Sequence, residues 1–109
     1  MKDCMTQQDR EIAKELKERL SEVVNLLDFR VFGSRAQGDA DEYSDMDVFI
    51  EVETINKQLK ERIEHIAWEI GFEHLLHISP IIFTRYELEN SPLRVSPIVR
   101  NINEEGVKL

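Results

Sequence analysis

With 109 residues, 41% of them hydrophobic, the chain has material for one modest core and no room for a separate substrate-binding domain, which excludes complete template-directed polymerases and tRNA-end-adding enzymes. Fourteen basic residues against 22 acidic ones give a formal charge of −8 with no dense basic run, so an extended nucleic-acid groove is not expected. The single cysteine, Cys4, cannot close an internal disulfide, and neither a basic-then-apolar leader nor an apolar run near ~18 residues is seen, so the expectation is a cytoplasmic protein that does not enter a membrane.

Thr6 to Leu27 reads as a first helix, with Ile12, Ala13, Leu16, Leu20, Val23, Val24 and Leu27 at helical spacing behind a Thr6 cap. Phe29 to Phe32 is a short strand, and Gly33 to about Tyr43 a turn, a short helix and a loop. Met46 to Glu53 is the second strand. A second long helix starts near Thr54, buries Leu59, Ile63, Ile66, Ala67 and Ile70, and stops at Gly71, where a left-handed residue costs little. Leu75 to Thr84 forms strand three, in which Pro80 lacks an amide donor and argues for an edge or a bulge. Ser96-Pro97 opens a last helix that runs to about Glu105 and is ended by Gly106. The expected fold is a single α/β (α+β) domain over residues 1–109, with a small mixed three- to four-stranded sheet flanked by helices.

The chemistry concentrates in Phe32-Gly33-Ser34-Arg35-Ala36-Gln37-Gly38 and Ser44-Asp45-Met46-Asp47-Val48-Phe49-Ile50. A buried strand ending in Gly-Ser lets backbone approach a ligand closely, and helical N–H groups beyond it would face a phosphate. Asp45 and Asp47 are two apart on a run whose alternate members Met46, Val48, Ile50 and Val52 are apolar, so a strand buries that face and turns both carboxylates to the other. Two such charges roughly 6 Å apart repel by about 3 kcal/mol at an effective dielectric near 20, a cost that a divalent cation reverses. Mg²⁺ suits the site because it is usually held by one or two carboxylates plus substrate phosphates.

Gly33-Ser34, ten residues, then Asp45-Met46-Asp47 resembles the signature of the polymerase-beta-type nucleotidyltransferases. The fuller string, Gly-Ser-Arg-Ala-x-Gly, a charged loop, Ser-Asp-x-Asp and a hydrophobic strand, is most similar to the minimal nucleotidyltransferases, small prokaryotic proteins often paired with a HEPN-domain partner in toxin–antitoxin modules. The resemblance implies the polymerase-beta-like core. It also implies nucleotide phosphates on Gly33 and Ser34, metal on Asp45 and Asp47, and Arg35 reaching a phosphate, while Gly38 lets the loop turn. The implied reaction is Mg²⁺-dependent transfer of AMP from ATP, or of another nucleoside monophosphate, to a side chain of a HEPN toxin, which silences it.

One departure stands out. Many active relatives carry a third carboxylate on the next strand, where this chain reads Leu75-Leu76-His77-Ile78-Ser79-Pro80-Ile81-Ile82-Phe83. His77 or Ser79 lies nearest that place, and Glu51 on the aspartate face is the other candidate. The missing acid motivates a second reading, a subunit that neutralises its partner by contact alone. A third is transfer to a small molecule, as in antibiotic-modifying relatives, with a second subunit supplying the rest.

Other residues have plainer readings. His65 faces solvent, His74 and His77 stay open, and three histidines with one cysteine spread this way make no zinc cluster. Trp68 reads as a core-edge filler, with a contact to another subunit as the alternative, and association with a second copy is left open. The run Asp39-Ala40-Asp41-Glu42 either guards the cleft, holds a partner or serves solubility. No Ser-His-Asp or Cys-His spacing supports a covalent intermediate.

Overall fold

Thr6 caps the first helix, α1 (Gln7–Ser21), by accepting a bond from the Asp9 N–H at 3.0 Å. The computed structural model describes residues 5–38, 44–92 and 96–109. Cys4 and the run Asp39-Ala40-Asp41-Glu42, with the roles expected of them, lie outside the described residues. The helix ends earlier than Leu27, because Leu26 and Leu27 already belong to strand β1 (Leu26–Phe32).

A short helix α2 (Ser34–Gln37) follows β1, and β2 (Met46–Val52) pairs antiparallel with β1. Helix α3 (Lys57–Glu73), capped by Asn56 instead of Thr54, crosses over to β3 (Ile78–Thr84), which runs parallel to β2. Beyond β3 come α4 (Arg85–Asn90), closed by a Thr84/Glu87 capping box, then α5 (Pro97–Glu105) and a short β4 (Val107–Lys108) antiparallel to β1. The order β3-β2-β1-β4 is a four-stranded mixed sheet flanked by helices, the expected class. Sequence periodicity missed α4 and β4, which are too short to show a repeat.

Alternation splits the sheet into two faces. Phe29, Val31, Met46, Val48, Ile50, Val52 and Ile78 pack with Ile12, Leu16 and Leu20 of α1 and Ile63, Ile66 and Ile70 of α3. Each such aliphatic burial contributes roughly 1.5–3 kcal/mol. On the other face Phe32 and Phe49 form a smaller cluster with Ile102 of α5, flanked by Ile81, Phe83 and Leu88 of α4. This second face carries Asp47, which is the register partner of Phe32 at the strand end beside Gly33.

Two local details matter later. Gly71 does not end α3; it is the left-handed residue neither in place nor in sign, since the positive φ, 57°, belongs to Leu75. A Cβ on Gly71 would stand 2.5 Å from the Leu76 carbonyl oxygen, so the glycine admits the returning chain at close range. The Met46 N–H donates to the His77 carbonyl at 2.9 Å, so alternation turns the amides of Ser79, Ile81 and Phe83 toward β2 and the Pro80 nitrogen outward, on an edge strand.

Candidate active site

Gly33, the N-cap of α2, adopts φ 77° and ψ −159°, a conformation open essentially to glycine alone. Its carbonyl accepts the N–H groups of Ala36 at 3.1 Å and Gln37 at 3.3 Å, which closes the turn. The same turn presses against β2: a Cβ on Gly33 would lie 2.6 Å from Asp47 Oδ2. The bare glycine therefore does two things, making the turn and giving the carboxylate its place. Ser34 takes the first helical position after it.

Asp47 sits between Phe32 on β1 and Ser79 on β3, half-buried. Burial raises its proton affinity above the ordinary carboxylate value, the nearby Asp45 raises it further, and His77 acts in the opposite sense. Asp45 is the more exposed of the two, and its Oδ1 lies 3.4 Å from His77 Nδ1. The structure thus gathers Gly33, Ser34, Asp45, Asp47 and His77 at one end of the sheet. The donor set is oxygen-rich with one imidazole beside it, and its half-buried carboxylate is destabilised as an anion, so it fits a hard divalent cation such as Mg²⁺.

Other candidates stand elsewhere. Glu51 is four residues along β2, roughly 13 Å away at about 3.3 Å per residue, and it accepts from Arg85 Nε at 2.9 Å. Ser79, which with His77 was expected nearest the place of a third acid, is the register neighbour of Asp47 and brings a hydroxyl. His74 pairs with Glu15 at 3.2 Å, and with Glu73 these form the grouping of His and carboxylates found among the described residues, on the helical layer between α1 and α3. His65 is exposed as expected. Trp68 is not a core-edge filler: it is 59% exposed, because its position on α3 lies off the stripe that meets the sheet.

Arg35 faces inward. Its side chain is 10% exposed, Nη1 donates to Asp9 Oδ1 at 2.8 Å, and Nε donates to the Ser44 carbonyl at 2.8 Å. The guanidinium joins α1, the turn and the residue before Asp45. Asp9 is the functional-site neighbour that sequence reasoning missed; its place in the first turn of α1 looked like an ordinary helix-start acid.

Gly33→Ala is expected to displace the Asp47 carboxylate and to lower the rate of the reaction this site supports about 10- to 100-fold, since a displacement near 1 Å of a reacting group costs on that order. Steady-state rates, with circular dichroism to verify folding, check this.

Residues 9–109 match the sequence pattern of the family described as nucleotidyltransferase domain. A Methanocaldococcus jannaschii protein that carries the provisional name protein adenylyltransferase MJ0141 is 40% identical over 80 residues, covering 69% of this chain and 79% of its own. A crystal structure of a provisionally named nucleotidyltransferase from Sulfolobus solfataricus superposes with a TM-score of 0.50 at 20% identity, over 90% of this chain and 76% of the other, a likeness of fold.

Proposed function

The chain belongs to the nucleotidyltransferase-domain family, as a minimal nucleotidyltransferase, and from that premise we propose that it moves AMP from ATP onto a hydroxyl of a protein acceptor, with Asp45 and Asp47 holding Mg²⁺. The name of the archaeal relative supports a protein acceptor, and the resemblance to HEPN-paired proteins suggests a toxin partner and an antitoxin role. One observation carries the reading: the Gly33 turn lies so close to the Asp47 carboxylate that a Cβ there would stand 2.6 Å from Oδ2, which suits a phosphate-binding turn beside an acid pair.

In this reading the Gly33-Ser34 turn cradles the triphosphate, and its missing side chain keeps the backbone accessible. The acceptor hydroxyl attacks the α-phosphorus in line; its oxygen–phosphorus bond forms as the bond to pyrophosphate breaks, and the hydroxyl proton passes to solvent. Mg²⁺, when bound, supplies positive charge that stabilises the phosphoryl oxygens and acidifies the hydroxyl. Arg35 keeps Asp45 in place through Ser44.

The test combines pure protein, Mg²⁺, ATP labelled at the α-phosphate and the protein encoded beside it. Label on that protein is expected; no transfer with any of the four nucleoside triphosphates rejects the enzymatic reading. A serine, not an acid, beside Asp47 on β3 favours a second reading, neutralisation by contact alone. Joint replacement Asp45→Asn and Asp47→Asn decides between them, since contact alone would leave the partner neutralised.

A further inference from the structure

We propose that the groove between the end of α3 and the start of β3 receives the acceptor polypeptide, and that its occupant is an apolar segment flanked by basic residues. The proposal rests on the protein-acceptor reading above. Three large apolar side chains stand out of this surface: Trp68 is 59%, Phe72 67% and Leu75 87% exposed. Trp68 and Phe72 stack at 5.4 Å between ring centroids. They wall a groove of about 350 Å³ together with Ser44, Leu76 and His77, a volume that suits one or two side chains.

Leu75 adds an independent sign. It holds a left-handed backbone, φ 57°, which is unfavourable for a leucine, and its exposed side chain recovers little of that within this chain. Asn or Gly would sit there more cheaply. A leucine makes sense if something packs on it.

Position and charge identify the occupant. Ser44 precedes Asp45, and His77 lies 3.4 Å from the Asp45 carboxylate, so whatever fills the groove abuts the acid pair. No lysine or arginine occurs between Arg62 and Arg85, whereas Glu64 and Glu73 do, and Glu69 there is already paired with Arg19 of α1 at 3.0 Å. Glu64 and Glu73 are exposed, and the α3 C-terminus adds its own negative end. A second copy docking by this same face would set these acids against themselves. A basic partner meets complementary charge instead.

Trp68 is the only tryptophan, so its emission reports the groove directly. The probes are a hexapeptide with a central Phe-Leu pair and two basic residues on each side, and its counterpart with acidic flanks. A saturable emission change with the basic peptide, weakened by 0.5 M salt at about a 4 Å Debye length, and none with the acidic one, is expected. The double variant Phe72→Ser, Leu75→Asn should weaken binding at least about tenfold; Asn accepts the left-handed backbone, so its thermal midpoint should not fall. No response to the basic peptide overturns the proposal. So does an emission change with ATP alone that the double variant abolishes, which would make the groove a base site, or a dimer in sedimentation that the double variant disperses. The enzymatic reading fails separately: wild-type protein that takes the basic peptide but shows no Mg²⁺-linked ATP binding by calorimetry loses the chemistry and keeps the groove.

Discussion

Asp47→Asn is expected to cut label transfer about 10³-fold while leaving the metal-free protein as stable as wild type or slightly more so. The two effects have opposite signs because one carboxylate serves the site at the expense of the fold. Burial and Asp45 raise its proton affinity in the folded chain above that in the unfolded chain. The native state therefore binds this proton more tightly, so stability falls as pH rises from the ordinary carboxylate value through the raised one, and the full penalty applies above it. Asparagine removes the charge and the penalty. The gain stays under about 1 kcal/mol, since Asp47 is only partly buried and solvent screens its interactions. Urea titrations without metal at acid and neutral pH check the sign; a variant less stable than wild type at neutral pH would contradict it.

Arg35→Met should cost about 3–5 kcal/mol, a large share of the 5–15 kcal/mol typical of a domain this size. The loss comes less from the ion pair than from what remains: Asp9, 5% exposed, would keep a buried charge without its guanidinium. Adding Asp9→Asn to Arg35→Met should recover part of the loss, a non-additivity that a double-mutant cycle in urea measures. Arg35→Lys preserves charge but cannot span Asp9 and the Ser44 carbonyl at once, so it should fold better than Arg35→Met yet bind ATP with Mg²⁺ more weakly than wild type. Equal losses from the lysine and methionine variants would remove the positioning role.

Legibility followed the length scale of each signal. The Gly33 turn, the alternation that turns Asp47 away from the main core and the edge position of Pro80 depend on a few residues and elementary sterics, and the structure bears out these local geometries. The boundary of α1 was misread because Leu27 continues the helical stripe and suits the start of a strand equally well. Gly71 was misread because a glycine can serve conformation or close approach, and only the returning Leu76 carbonyl tells which. Arg35 was illegible for a different reason. The partner that draws it inward, Asp9, is 26 residues away, and a guanidinium beside a Gly-Ser turn suits a phosphate as well as a carboxylate. Trp68 shows the same limit, since hydrophobicity alone does not distinguish an interior side chain from one awaiting company.

The outward nitrogen of Pro80 has a bearing on assembly. An incoming strand seeking to lengthen the sheet beside β3 would meet a ring where it needs a donor, midway along the strand. Cross-β growth on that margin is interrupted at its centre, which protects an acidic, aromatic-bearing surface from polymerising through its backbone. Recognition on this flank must then be written in side chains, so an intruder is admitted by shape and charge and not by ladder pairing.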